Sequence, residues 1–336
     1  MNLNFRSNYY IKKITEARES STFLAFLSIF IILSFLTPYF ITMTNLLNIG
    51  RQISFLGLMA IGLGIAIITG NIDLSIGSVY GFAAVVTALI MVKTGNSFLS
   101  IFFGIIAGTS VGLVNGLLLV KIKLPSFIVT FGTMNVVRGL ILIITNGNPI
   151  TLFIDGITNE THPGFYFIGG GKLFNTIPMQ LVIMIFFMLI LGYVLNRTIF
   201  GLHIYAVGDN EKAARASGID NDLVKIKVFV ISSLLSSIAG ILNLSFIGSI
   251  EATSGAGLEF ETFAAVIIGG VSFAGGEGSI MGILIGTFII GIIRNGLVLL
   301  GVGSFIQVLV VGIIAIAAVT YDSLTWEKRQ NRRLVL

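Results

Sequence analysis

Apolar residues along this chain neither alternate nor follow one stripe of a helix. They come in unbroken blocks of about twenty residues, the length an α-helix needs to cross a ~30 Å hydrocarbon core. Ten such blocks can be drawn, at 23–41, 52–69, 74–92, 98–120, 125–145, 177–195, 226–247, 258–274, 280–300 and 303–321. Barrel strands would alternate over ~10 residues, and in lipid every backbone N–H and C=O must be satisfied internally. The pattern therefore predicts an all-α membrane protein of about ten transmembrane helices. The first block follows the polar stretch Met1 to Ser21. It is too long for the core of a signal peptide and is followed by no Ala-x-Ala-like site, so it is expected to stay as a helix.

The polar segments between blocks divide the chain into an N-terminal segment 1–22, a transmembrane domain 23–321 and a basic tail 322–336. Two connections are long. Residues 146–176 hold Gly, Pro, Asn, aromatics and one lysine, whereas 196–225 carry charges of both signs. With the N-terminus inside, the inner segments hold Arg6, Lys12, Lys13, Arg18, Lys121, Lys123, Arg197, Lys212, Arg215, Lys225, Lys227, Lys328, Arg329, Arg332 and Arg333. These fifteen face only Arg51, Lys93 and Lys172 outside, with Arg138 and Arg294 inside blocks. Such a bias places both termini in the cytoplasm, which needs an even number of spans. Residues 146–176 are then extracytoplasmic and 196–225 cytoplasmic.

The halves also resemble one another. Phe82-Ala-Ala-Val85 recurs as Phe263-Ala-Ala-Val266, Asn115-Gly-Leu117 as Asn295-Gly-Leu297, and Ser126-Phe-Ile128 as Ser304-Phe-Ile306, at offsets of 181, 180 and 178. Five spans per copy is an odd number, so the two copies must point in opposite directions. Inverted repeats of this kind are typical of transporters whose path lies between the halves. Glycines at 104, 108, 112 and 116, and at 278, 282 and 286, recur every four residues and predict close helix contacts, a packing role and not a ligand-binding one.

Composition narrows the chemistry further. Of 336 residues, 55% are hydrophobic and 10% charged, against roughly 25% charged in a soluble domain. With no cysteine, disulfides, thiolate metal sites and cysteine nucleophiles are excluded. His162 and His203 lie far apart in different polar loops with no carboxylate at ligand spacing, so no metal or other cofactor is expected. The formal charge of +5 is what a positive-inside chain leaves on one face and does not indicate nucleic acid. No ATP site is present either. A P-loop needs Gly-x4-Gly-Lys-Ser/Thr, while Gly171-Lys172 is followed by Leu173 and has Tyr166 where the first glycine belongs. The run Gly275-Gly-Glu-Gly278 reads as a helix break. The sequon at Asn159 is of a common kind and carries no weight.

The inner segment from Gly201 to Gly218 holds the sharpest functional pattern. Asp209 or Asn210 can cap a short helix of about 15 Å, Glu211 suits its N-terminal dipole, Ala213, Ala214 and Ala216 favour helix and offer small docking surfaces, and Gly218 can end it. Asp209, Glu211, Ala213, Ala214, Arg215 and Gly218 are the candidate coupling residues. Within the blocks, Asn135, Arg138, Arg294 and Asn295 are candidates to line a translocation path, because a central Arg costs roughly 2.5–3.5 kcal/mol and needs a partner or water. Alternatively, both arginines reach the outer headgroups. Asp73 is read as a cap of the third block.

With these residues in view, the chain resembles the permease subunits of bacterial ribose-type ABC importers, a family that includes xylose, galactose and autoinducer-2 permeases. The likeness rests on Gly70-Asn-Ile-Asp-Leu-Ser-Ile-Gly-Ser78, Lys121-Ile-Lys-Leu-Pro-Ser-Phe-Ile-Val-Thr-Phe-Gly-Thr133, Tyr205-Ala-Val-Gly-Asp-Asn-Glu-Lys-Ala-Ala-Arg-Ala-Ser-Gly-Ile219 and Ala264-Ala-Val-Ile-Ile-Gly-Gly-Val-Ser-Phe-Ala-Gly-Gly-Glu-Gly-Ser279. It implies a ten-helix subunit of the bacterial inner membrane that pairs with a second permease subunit, cytoplasmic ABC ATPases and an extracytoplasmic solute-binding protein, and that moves a sugar-like solute. It also implies that Glu211, Ala213, Ala214 and Gly218 belong to the loop seated in the ATPase, where Lys212 interrupts the usual Glu-Ala-Ala order. The other class with inverted repeats and broken helices is the ion-coupled secondary transporter, which works through intramembrane carboxylates; few acidic residues fall within the blocks.

Overall fold

The computed structural model describes residues 18–333, with side chains from residue 20 to 320. Residues 1–17 of the N-terminal segment, residues 334–336 and the side chains of the basic tail lie outside the described residues. The first half contributes α1 Arg18–Leu36, α2 Met43–Ile68, α3 Ile76–Thr94, α4 Ser97–Ile122 and α5 Ser126–Thr145. Then come α6 Pro163–Gly170, α7 Met179–Arg197, α8 Ile199–Asp209, α9 Glu211–Ala216 and α10 Asn221–Ile247. The chain closes with α11 Leu258–Ile268, α12 Ile280–Leu299 and α13 Ser304–Arg333.

A helix lies in each of the ten apolar blocks, but their lengths differ. Among the described residues seven helices (α2, α3, α4, α5, α7, α10 and α12) are long and apolar enough to cross a membrane. The apolar parts of α1 and α13, Ser20–Leu36 and Ser304–Thr320, are shorter. The clear departure from the sequence pattern is block 258–274, whose helix α11 has only 11 residues. At 1.5 Å per residue it is about 16 Å long, half of a bilayer core. Two adjacent glycines stop it. Gly270 takes the left-handed conformation at φ 84°, its N–H bonds Ile267 O at 2.9 Å and Val271 N–H bonds Val266 O at 3.3 Å, a Schellman end that uses up the last carbonyls. Apolar content alone hid this break, because Ile267, Val271 and Phe273 surround the glycines.

α2 and α10 form the centre. Both are buried along most of their length and lie against each other. α10 also packs on α3 and α4, and α2 on α11 and α12; α3 packs on α4 and α5, and α11 on α12 and α13. The glycine rows allow these approaches. A side chain at Gly104 would collide with α3, and one at Gly108, Gly112 or Gly116 with α10. On α12, side chains at Gly282 and Gly286 would strike the backbone of α11. Helix–helix contact without the hydrophobic drive of water depends on such small residues.

The segment 146–176 is folded. Ile150–Thr151 (β1) pairs antiparallel with Ser249–Ile250 (β4), and a 3-10 turn Leu152–Asp155 follows. α6 rests on α10 with Phe165 and Tyr166 buried. The hairpin of Lys172–Leu173 (β2) and Ile177–Pro178 (β3) leads into α7.

Candidate functional site

The predicted coupling segment is two helices. Thr198 caps α8, its side chain accepting from Gly201 N–H at 3.2 Å. Asn210 ends α8 in an extended conformation and caps α9, accepting from Ala213 N–H at 3.0 Å. α9 has 6 residues, about 9 Å, shorter than the 15 Å expected, because Asp209 stays in α8 and a Schellman end closes α9 at Gly218, φ 85°. There Gly218 N–H bonds Arg215 O and Ile219 N–H bonds Ala214 O, each at 3.1 Å. Glu211 receives Lys225 Nζ at 2.7 Å, Arg215 reaches Asp222 at 2.8 Å, and Asn221 Nδ2 donates to Glu211 O at 2.7 Å. These bonds hold α9 on the start of α10. Ala214 is buried beneath, whereas Lys212, Ala213, Ala216 and Gly218 are exposed. The result is a small-residue knob ringed by charge.

Behind α9, α8 is seated on two helix breaks. Tyr205 Oη donates to Gly278 O at 2.8 Å, and burial pushes this phenol above its ordinary range, so it remains a donor at neutral pH. Gly276 N–H donates to Ile68 O, the last residue of α2, at 2.8 Å. Gly208 fits against both, and any side chain there would strike Ile68 O and Gly276 N. One end of the bundle thus joins α8, the end of α2 and the 269–279 break. Tyr205 and Gly208 were inside a recognised motif, but nothing local in the sequence tells which helix end they touch.

The break between α2 and α3 is rigid. Gly70 and Asn71 form another Schellman end, bonding Ile67 O and Ala66 O at 2.8 and 3.0 Å. Ser126 Oγ accepts from Ile72 N–H, and Thr130 Oγ1 donates to Ile72 O. Non-helical backbone among membrane helices is tolerated where protein groups satisfy it in this way. Asp73 is fully buried and accepts from Ser75 N–H at 3.0 Å, Ser75 Oγ at 2.6 Å and Ser232 Oγ at 2.8 Å. Asn115 Nδ2 reaches Ser75 Oγ at 2.9 Å, so α3, α4 and α10 are pinned at one point.

The four candidate path residues occupy different settings. Asn135 is exposed on α5, its amide donating to Phe131 O of its own helix at 2.8 Å. Asn295 is buried and exchanges two 2.9 Å hydrogen bonds with Asn45 of α2, so both amides are engaged. The two arginines converge on the first turn of α11. Arg138 lies 3.4 Å from Glu259 and donates to Gly255 O at 3.1 Å, and Arg294 meets Glu261 at 2.8 Å. Both arginines that the sequence left in apolar blocks thus have a carboxylate, and the two glutamates also suit the positive end of α11. The loop before α11 lies on α3: side chains at Gly77 or Gly81 would collide with Gly255 and Ser254. Glu259, Glu261 and Asn45 were overlooked because pairing across up to 250 residues leaves no local signal. Among the described residues no group of three or more His, Cys, Asp or Glu could hold a metal ion.

Comparison with known proteins gives this arrangement its class. Residues 45–319 match the family described as branched-chain amino acid transport system / permease component. The chain is 42% identical over 300 residues to the ribose import permease protein of Bacillus subtilis (strain 168), covering 89% of this chain and 91% of the relative. It is 37% identical over 305 residues to the ribose import permease protein of Escherichia coli (strain K12), covering 91% and 94%. The L-arabinose ABC transporter permease protein of Azospirillum brasilense is 33% identical over 316 residues, covering 94% and 89%. No solved structure matches. The chain belongs to this family of transport-system permeases. It is a transport component, predominantly helical, and a multi-pass protein of the inner membrane.

Proposed function

We propose that this chain is the membrane-spanning permease subunit of an ATP-driven importer for a monosaccharide of the pentose class. The observation that carries the reading is the near full-length likeness to permeases named for ribose and for L-arabinose, spanning both halves of the bundle. The exposed, stapled α9 supports an ATPase docking role for Glu211, Ala213, Arg215 and Gly218, with Asp209 beside it at the end of α8 and the buried Ala214 seating the segment, since the chain has no nucleotide motif of its own. The seat of α8 on the ends of α2 and of the 269–279 break supplies a lever through which ATPase closure would reach the bundle.

In this reading ten helices form two inverted five-helix repeats, α1–α5 and α7 with α10–α13. The matched neighbours of α2 and α10 support that. Both termini and 196–225 face the cytoplasm, and 146–176 faces a solute-binding protein. A second permease subunit completes the path, which runs past Asn135 and the Arg138, Arg294 and Asn295 end of the bundle. Purifying the native complex tests the scheme: a co-purifying ABC ATPase and solute-binding protein support it, and a complex lacking any ATPase removes it.

A further inference from the structure

Between the end of α4, the helix α9 and the start of α10 lies an open cavity of ≈ 590 Å³. Its two sides differ. Leu119 and Val120, from the last turn of α4, and Leu124 just past its cap form an apolar side. The other side carries Lys212 and Arg215 of α9 and Lys225 of α10, and Lys123 joins them from the cap of α4. The carboxylates present do not cancel these four cations. Glu211 is taken by Lys225 at 2.7 Å and Asp222 by Arg215 at 2.8 Å. Among the described residues neither Lys123 nor Lys212 has an ion pair, so the cavity keeps two free ammonium groups, both exposed.

The apolar side continues along α4 into the membrane. Leu113, Leu117, Val120 and Leu124 follow one another at spacings of four, three and four, which puts them on one helix face. Leu113 and Leu124 are exposed, and Leu117 and Val120 are half-buried. From 113 to 124 the helix rises about 16 Å, the depth of one leaflet of a ~30 Å hydrocarbon core. A lipid-facing stripe that ends between two free lysines selects an anion joined to a hydrocarbon chain. A soluble anion would leave the stripe unused, and a zwitterionic lipid would bring a cation of its own to the lysines. Basic pockets between membrane helices are suited to anionic headgroups for the same reason.

We propose that this cavity binds an anionic phospholipid, with its phosphate between Lys123 and Lys212 and one acyl chain along Leu117, Val120 and Leu124. The leaflet rests on the reading of 196–225 as cytoplasmic, which makes it the inner one, and the bound lipid joins α9 to α4 beside the ATPase surface. The probe is a photoactivatable phosphatidylglycerol, used on the assembled importer in phosphatidylcholine vesicles, with crosslinks read on peptides holding residues 113–124. Phosphatidylglycerol should label them, and unlabelled phosphatidylglycerol should compete better than phosphatidylcholine by about fivefold for each free lysine. Lys123→Gln and Lys212→Gln should each lower that preference about fivefold, the double variant should abolish it, and Lys123→Arg should keep it. Equal competition by the two lipids, or an unchanged preference in the double variant, overturns the site. So does displacement by inorganic phosphate as readily as by phosphatidylglycerol, the mark of a free anion, and so does the absence of any label, the mark of a cavity filled by the ATPase. The leaflet is decided separately: if Ser217→Cys reacts from outside, the topology reading fails, and the same crosslinks still decide the lipid.

Discussion

Burial decides what each charged pair in the bundle is worth. Glu259 is 5% exposed and Arg138 20% by side chain, so removing one partner leaves a charge stranded in a poorly solvated place, which costs about 3–5 kcal/mol. Arg294 is 47% exposed and Glu261 16%, so this pair is partly screened and costs less to break than the buried one. Glu259→Gln should therefore lower the thermal unfolding temperature of the detergent-solubilised protein by several degrees, Arg294→Gln should lower it by less, and Arg138→Gln placed on Glu259→Gln should restore part of the loss. Equal, small effects of the two single variants would show that the Arg138–Glu259 pair is idle. Asp73 belongs to the same class of buried group, but its bonds come from serines and a backbone N–H. Asp73→Leu would strand those donors at about 1–3 kcal/mol each, with Asp73→Asn milder.

Among the elements, α8 and α9 divide one task. Glu211→Lys faces Lys225 with a like charge, and replacing Gly218 by Trp forces a bulky residue into φ 85°, so each should weaken ATPase binding while membrane insertion is retained. Gly208→Val should behave differently, because it drives α8 off Ile68 and Gly276 while leaving the exposed face of α9 intact. Its expected phenotype is a bound ATPase that hydrolyses ATP with little transport. A pull-down with ATP turnover and uptake measured on the same preparations separates the two groups, and full transport by Gly208→Val would deny the lever. The sequence made α9 legible through Asn210, Glu211, the alanines and Gly218, all local signals. It also showed where the apolar helices lie, since continuous apolar runs admit little else. The early end of α11, the division of the coupling segment into α8 and α9, and the partners of Arg138, Arg294 and Asn295 were out of reach. Each depends on contacts between distant parts of the chain or on which of several glycines turns left-handed.

For the whole molecule, the two ends carry different equipment: the α8–α9 seat with its basic cavity at one, and the folded 146–176 segment at the other. The orientation argued from basic residues makes Asn159 extracytoplasmic and Ser217 cytoplasmic, and both are exposed. Cysteine at Asn159 should react with an impermeant thiol reagent on intact cells, and cysteine at Ser217 only after permeabilisation; the reverse pattern would invert the topology. The source of energy is the most direct question. In proteoliposomes holding the complete importer, ribose or L-arabinose uptake should require ATP inside the compartment that α9 faces and should be indifferent to a protonophore. Uptake that proceeds without ATP and collapses when the protonophore is added at constant ATP would contradict an ATP-driven permease and make the chain an ion-coupled transporter.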